Sequence, residues 1–198
     1  MPNIKRLYLL PKAEVDELYA RPAFNADEHE IYFTMDQQEL DALDQYTNTK
    51  TRVFFVLQLA YFKAKNQFYN FTLEDVRADV KYVLSNLFNK HEVVLSGRIS
   101  RRYISSQKQA ILQLFDYKDW SEEQKIFIET HLSELLKYYP KIHDALRQLL
   151  VYLESQKIVI PSYRSLQDIF TQAFANEQKR LSQKILLIPA LQQTQLTE

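Results

Sequence analysis

The sequence contains no cysteine and only one glycine, Gly97, and each shortage excludes common kinds of site. Without cysteine the chain has no disulfide, thiol nucleophile or thiolate metal ligand, as is usual in a reducing compartment. Phosphate-binding loops and dinucleotide-binding turns need several glycines for close backbone approach, so nucleotide binding by those routes is excluded. The first residues, MPNIKRLYLLPK, have too short an apolar run for a signal peptide. We therefore expect a cytoplasmic protein that has no membrane partner.

Charge is balanced overall but unevenly distributed. The 25 basic and 25 acidic residues give a formal charge of zero, which argues against a surface that is positive everywhere. Ten acidic residues fall between positions 13 and 49, whereas 45–73 and 93–115 contain basic residues and no acid. A neutral chain can therefore present one basic face.

Catalytic and metal-binding patterns are missing. The four histidines, His29, His91, His131 and His143, do not have the spacing of metal ligands, and structural or surface roles explain them. The serines lack a nucleophile elbow and a placed base. Any pair of acidic residues chosen as acid and base would be arbitrary, because solvated helix faces look the same. We predict no enzyme, no metal site and no cofactor in this chain.

Residues 51–65, TRVFFVLQLAYFKAK, are apolar in nearly every direction around a helix, so such a helix must be surrounded. It would span about 22 Å, too short for a membrane. A buried strand would also be apolar, but strands usually stop by about 8 residues. We predict that this segment is the central core helix.

The other segments predict more helices with short connections. Periodicity and capping residues place them at 12–19, 35–45 behind Thr34, 72–88, 100–115, from 121, from 140, and from 162 to about 187, where Pro189 ends the last one. Residues 29–34, HEIYFT, look β-like, and 89–97 form a loop. The predicted fold is all-α, an orthogonal bundle of about seven or eight helices that contains helix-turn-helix units. Residues 1–95 would form one subdomain around 51–65 and 96–198 a second, unless the two are one continuous domain.

A helix-turn-helix pattern lies at 143–176, with a turn at 157–161. In such units the start of the second helix enters the major groove of DNA, where its first side chains contact base edges. An ordinary helix hairpin would have the same pattern. The candidate DNA-binding residues here are Ser162, Tyr163, Arg164, Ser165 and Gln167, with Lys157 near phosphate.

Two further basic segments contain groups that hydrogen-bond phosphates. RISRRYISSQK supplies Arg98, Arg101, Arg102, Tyr103 and Lys108 without a nearby acid, so its cations must face solvent, a distant acidic helix or a polyanion. Lys50 and Arg52 lie at the start of the core helix, where backbone NH groups and the helix dipole favour an anion. Lys63 and Lys65, at its far end, can extend from apolar surface to solvent.

Several of these stretches together resemble the N-terminal region of class II replicative transposases of bacteria, the Tn-three family. The resemblance covers about 32–181 and depends on RVFFVLQL at 52–59, RRY at 101–103 with ILQLFDY at 111–117, and KIVIPS at 157–162 followed by Leu166 and Ala173. One departure is Asp116, which stands where that family usually has a glycine.

The resemblance implies a non-catalytic, helical DNA-binding module that recognises the terminal inverted repeats of a transposon during DNA transposition, a form of DNA recombination. Its partners would be double-stranded DNA and the downstream catalytic region of the same transposase, which would hold the acidic triad. The alternative from another class is a helical protein–protein interaction or scaffold module that uses the acidic front half of the chain.

Overall fold

The computed structural model describes residues 6–90, 95 and 98–194, with side chains as far as Gln183. His91 and most of the predicted loop at 89–97 lie outside those ranges. Within them the chain forms nine α-helices and no strand, which confirms the predicted all-α class. The helices are α1 (Lys12–Tyr19), α2 (Ala26–Phe33), α3 (Gln37–Asp44), α4 (Thr49–Lys65), α5 (Arg77–Asn86), α6 (Arg101–Phe115), α7 (Glu122–Tyr138), α8 (Ile142–Ser155) and α9 (Tyr163–Thr194). Across the described residues, none of these helices is both long enough and apolar enough to cross a membrane.

The chain divides into two compact units. The central unit is Tyr19–Asp119, and the terminal unit combines Met1–Leu18 with Trp120–Glu198. The boundary expected between residues 95 and 96 falls inside the central unit instead. There α6 packs against α3 and α4 and buries Ile111 and Leu112, so α6 belongs to the same core as the helices before it.

Helix α4 is the core of the central unit, as predicted. Every residue from Val53 to Phe62 is buried, including Gln58, because α2, α3, α5 and α6 pack around it. Gln58 is tolerated there because its amide nitrogen, Nε2, donates to the backbone oxygen of Tyr69 at 2.9 Å. The helix begins at Asn48, whose side chain accepts from the Lys50 NH, and ends at Asn66 in the left-handed conformation.

The β-like interpretation of HEIYFT was wrong. Asn25 and Glu28 form a reciprocal capping box that starts α2 just before this stretch, and Phe33 then points into the core. Thr34 is the C-cap of α2 and not the N-cap of the next helix, which a second capping box between Asp36 and Glu39 begins. Local capping therefore overrode the strand propensity of Ile31, Tyr32 and Phe33.

Two buried carboxylates of the central unit, Asp79 and Glu39, have polar partners. Asp79, in α5, accepts a hydrogen bond from the Tyr61 hydroxyl at 2.5 Å and lies 2.8 Å from His29 Nε2. Glu39 is 4% exposed, and its Oε2 binds Lys63 Nζ at 2.7 Å. Lys63 also donates to the Thr34 carbonyl at 2.7 Å, so its ammonium holds α3 and α4 together and does not extend freely to solvent.

The terminal unit packs α7 against α8 and α9, and its core contains the predicted apolar stripes. Ile128, Leu132, Leu146, Leu149 and Phe170 are fully buried. The predicted cap at Ser121 is confirmed, since its side chain accepts from the Gln124 NH. Pro189, expected to end the last helix, lies within α9, where a proline removes one backbone hydrogen bond without having to end the helix.

Helices α6 and α8 end in the same kind of turn. Asp116 after α6 has φ 57° and Lys157 after α8 has φ 51°, both left-handed. In each turn the NH of the residue after the left-handed one donates to the carbonyl five residues earlier. These bonds run from Tyr117 to Leu112 and from Ile158 to Leu153, both at 2.9 Å. This is the Schellman arrangement, which usually places glycine at the left-handed residue.

Candidate nucleic-acid interface

Helices α4 and α6 run in the same direction, side by side. Gln107 Nε2, in the middle of α6, donates to the Thr51 carbonyl in the first turn of α4 at 2.8 Å. Further along, the rings of Phe62 and Phe115 are 5.5 Å apart. The N-termini of the two helices therefore lie at one end of the central unit, where their unpaired backbone NH groups and dipoles both favour anions.

Cationic side chains gather at this end. Lys50 Nζ donates to the Arg98 carbonyl at 3.1 Å, which joins the start of α4 to the segment before α6. Lys90 Nζ donates to Thr49 Oγ1 at 2.8 Å. The Arg52 guanidinium lies 5.4 Å from the centre of the Phe88 ring and binds Asp44 at 3.0 Å. We call this surface the basic end; it comprises Lys50, Arg52, Lys90, Arg98, Arg101 and Arg102.

Three arginines of the basic end are free to bind a ligand. The side chains of Arg98, Arg101 and Arg102 are exposed and form no hydrogen bond or ion pair with any described residue. Tyr103, next to them in the first turn of α6, is 51% exposed. The Ser100 side chain caps this turn by accepting from the Tyr103 NH, so the helix start that presents these side chains is itself fixed.

Contacts behind the basic end hold α6 in place. Burial raises the pKa of the Tyr46 hydroxyl above its ordinary value, and that hydroxyl hydrogen-bonds Ser106 on α6. Gln107 is fully buried between α6 and α4. The buried hydrogen bond from Gln107 to Thr51 therefore fixes α6 from the side of the helix turned away from Arg101 and Arg102.

Lys108, grouped with these arginines in the sequence, is separated from them in the structure. Its Nζ binds Asp119 at 2.8 Å and lies 5.1 Å from the centre of the Phe68 ring. An acid that follows α6 thus neutralises it, although the sequence offers no acid within α6 itself. Lys90, by contrast, belongs to the basic end and was missed, because it lies in an irregular segment with no periodic pattern.

The start of α9, in the terminal unit, is largely covered by residues 6–10. The Tyr163 hydroxyl accepts from the NH groups of Leu9 and Leu10 at 3.2 and 3.1 Å. Gln167 Nε2 donates to the Leu7 carbonyl at 2.9 Å, and Arg6 pairs with Asp168. Tyr163 and Gln167, predicted to contact base edges, therefore bind the chain's own N-terminal segment in this structure.

Among the other residues predicted at this helix start, only Arg164 is exposed without a side-chain hydrogen bond or ion pair to the described part of the chain. Ser162 Oγ accepts from the Ser165 NH at 3.2 Å and lies 2.9 Å from Ser165 Oγ, so both serines serve the cap. Lys157 occupies the left-handed turn before the helix, and its side chain is exposed. Helix α8, the turn at 157–161 and helix α9 thus follow one another as helix, turn and helix, and Arg164 is the exposed arginine in the first turn of the second helix.

Metal binding has no support from the described residues, which contain no group of three or more histidine, aspartate or glutamate side chains that could hold an ion.

Residues 9–173 match the model of a protein family described as a domain of unknown function, DUF4158. The chain belongs to this family. The DUF4158 match spans α1 to α8 and the first part of α9, so it includes both the basic end and the start of α9. No curated protein matches the chain. The family is defined without a function.

Proposed function

We propose that this chain is a non-catalytic module that binds double-stranded DNA and recognises the terminal inverted repeats of a transposon. In this proposal it serves a transposase of the Tn-three family, whose catalytic region would lie outside the chain. The observation that supports it best is the basic end, where two parallel helices begin among six cationic side chains. The resemblance to the N-terminal region of those transposases is the reason for proposing terminal inverted repeats as the DNA that is bound.

The geometry of the basic end suits a phosphate backbone. Phosphate contacts in protein–DNA complexes come from arginine and lysine, from hydroxyl side chains and from helix N-termini, and all three occur here. Within this group Asp44 binds Arg52 at 3.0 Å. The three exposed arginines are left to neutralise phosphates, which should release counterions and make binding depend on salt.

Discrimination between sequences is assigned to the start of α9. Arg164 is exposed in the first turn of a capped helix, where an arginine can contact a guanine edge with two hydrogen bonds. Lys157, in the preceding turn, would contact phosphate. Tyr163 and Gln167 would take part only if residues 6–10 moved away from α9.

The test is titration of an inverted-repeat duplex and a scrambled duplex at two salt concentrations. The affinity should fall steeply with salt, with a slope of log K against log salt of about 0.9 per phosphate contacted. Replacing both Arg101 and Arg102 with alanine should weaken both duplexes alike and reduce the slope by about two. Arg77→Ala is the matched control, because Arg77 is an exposed arginine of the same unit. Arg77 is the first residue of α5, whereas Phe88, whose ring contacts Arg52 of the basic end, follows the last residue of that helix. An affinity that does not change with salt concentration would reject the proposal. An Arg77→Ala variant that weakens binding as much as the Arg101 and Arg102 double variant would reject it too.

Protein binding by the terminal unit is a second candidate function, which one observation favours. Ile126, Phe127 and Val151, on the neighbouring helices α7 and α8, are 64%, 45% and 63% exposed. Clusters of exposed large apolar side chains often mark protein-binding surfaces. A Phe127→Ser variant that loses a protein partner, in a chain that shows no affinity for any duplex, would favour this scaffold function over DNA binding.

A further inference from the structure

A cavity of about 400 Å³ lies in the central unit, next to the basic end. Its walls include Phe54, Phe71, Leu73 and Ile104, and polar groups are supplied by Glu74 and Arg98. Phe54 and Leu73 are 3% and 6% exposed, whereas Glu74 and Arg98 are exposed, so the cavity has an apolar floor and a charged rim. Mostly apolar walls with a few polar groups are typical of pockets for small flat ligands.

Arg98 connects this cavity to the basic end. Its carbonyl accepts the hydrogen bond from Lys50, and its side chain lies on the rim of the cavity. Ile104 belongs to the cavity wall and to the same turns of α6 as Arg101 and Arg102. A DNA strand whose phosphates lie on the basic end would therefore pass the mouth of the cavity.

The two rim charges restrict the ligand. A phosphate inside the cavity would be attracted by Arg98 and repelled by Glu74, so it would use only one of the two charges. A purely apolar group would use neither. A nucleobase has a flat apolar face and a polar edge, and proteins that hold single bases combine apolar or aromatic walls with hydrogen bonds to that edge. The carboxylate of Glu74 can only accept hydrogen bonds, so it favours a base edge with an amino group, which adenine, cytosine and guanine have. Thymine has no amino group and can offer only its single imino N3–H.

We propose that this cavity receives one unpaired nucleobase of the bound DNA, with a preference for a base that carries an amino group, while Arg98 binds the adjacent phosphate. This inference rests on the proposed DNA binding. A paired base would first have to leave the duplex, which costs a few kcal/mol, and a base that is already unpaired avoids that cost. The chain should therefore bind DNA more tightly where a base is already unpaired.

The experiment compares a paired duplex with the same duplex carrying one extra unpaired adenine or one extra unpaired thymine. We expect the unpaired adenine to tighten binding about tenfold and the unpaired thymine to tighten it less. Ile104→Trp should fill the cavity and reduce the adenine gain to about onefold, with the affinity for the paired duplex retained. Gln109→Trp, which adds the same side chain to an exposed site on α6 outside the cavity, should keep the gain.

Glu74→Gln provides a second variant that does not disturb the core, because Glu74 is exposed. It should reduce the difference between adenine and thymine, since a neutral amide is a weaker acceptor than a carboxylate. Circular dichroism checks that each variant is folded.

The outcomes separate this inference from the proposed function. Paired-duplex binding without any gain from an unpaired base would overturn the cavity proposal and leave DNA binding intact. A gain that survives Ile104→Trp in a folded variant would show that the base binds elsewhere, and would overturn it too. Absence of binding to every DNA would overturn both, and would leave a protein side chain as the occupant to test.

Discussion

Replacing Asp79 with alanine should destabilise the central unit by about 3 kcal/mol, because two neighbours lose a hydrogen bond to a carboxylate that water cannot easily replace. Asp79 is 8% exposed and its partner Tyr61 is fully buried. Burial, and then the hydrogen bond to Asp79, raises the pKa of Tyr61 well above its ordinary value, so this hydroxyl remains a donor. In Asp79→Ala the Tyr61 hydroxyl loses its acceptor, which should account for about 2 kcal/mol of the loss of stability.

The remaining loss, about 1 kcal/mol, comes from His29, whose Nε2 is 2.8 Å from Asp79 Oδ1. This loss is smaller because the His29 side chain is 13% exposed, so water can partly replace the lost contact. Asp79→Asn should cost only about 1 kcal/mol, because the amide keeps an oxygen for Tyr61 and loses mainly the charge. Urea unfolding followed by far-UV circular dichroism measures both variants. Asp41→Ala, an exposed aspartate on α3, is the control and should change stability by less than about 0.5 kcal/mol.

A double-mutant cycle with Tyr61→Phe tests the origin of the effect. If the Tyr61–Asp79 hydrogen bond is responsible, the two substitutions should couple by about 2 kcal/mol. Additive effects within about 0.5 kcal/mol, or an Asp79→Asn variant as unstable as Asp79→Ala, would refute the reasoning. The loss would then come from packing around α5.

Three further predictions concern pH, specificity and a turn. Burial raises the pKa of Tyr69 to about 12. Because an unfolded tyrosine ionises near about pH 10, the folded state holds its proton longer, and stability should fall between about pH 10 and 12 by up to about 1.4 kcal/mol per unit. Tyr69→Phe should remove that part of the decline in urea unfolding, and an unchanged slope would contradict the assignment. Arg164→Ala should lower the ratio of cognate to random duplex affinity by about tenfold and leave the salt slope within about one unit, measured by fluorescence anisotropy. An intact ratio in a folded variant would make α9 a structural hairpin arm. Lys157→Gly should be more stable to urea than Lys157→Ala by about 1 kcal/mol, since both remove the side chain and only glycine avoids the left-handed penalty; equal stability would contradict this.

The parts of the fold that local sequence determines were predictable. Apolar residues on every face predict helix α4. Ser121 followed by Glu122 and Glu123 predicts the start of α7. Such signals act over a few residues, so one sequence contains them completely. Helix α2 was missed although Asn25 and Glu28 form an equally local capping box, because the β-branched and aromatic residues after it outweighed the box in the interpretation.

The candidate site depended on contacts between distant residues, which local patterns do not contain. Nothing near Lys108 indicates that Asp119 will bind it, and nothing near Tyr163 indicates that residues 6–10 will bind its hydroxyl. The parallel course of α4 and α6, which unites Lys50 with Arg98, likewise follows from packing around Thr51 and Gln107. The residue types of the site were therefore predictable, whereas their grouping was not.

A chain with one glycine must still end its helices, and the way it does so bears on the family resemblance. Four residues other than glycine adopt positive φ in the described ranges, namely Asn66, Asn89, Asp116 and Lys157. Asparagine and aspartate tolerate this conformation best after glycine, because their short side chains can hydrogen-bond locally. Asp116 is the position where the resembling transposases usually have glycine, and its φ of 57° with the bond from Tyr117 to Leu112 is the turn that a glycine would make. The departure at Asp116 thus changes the residue and keeps the turn, so it does not count against the resemblance.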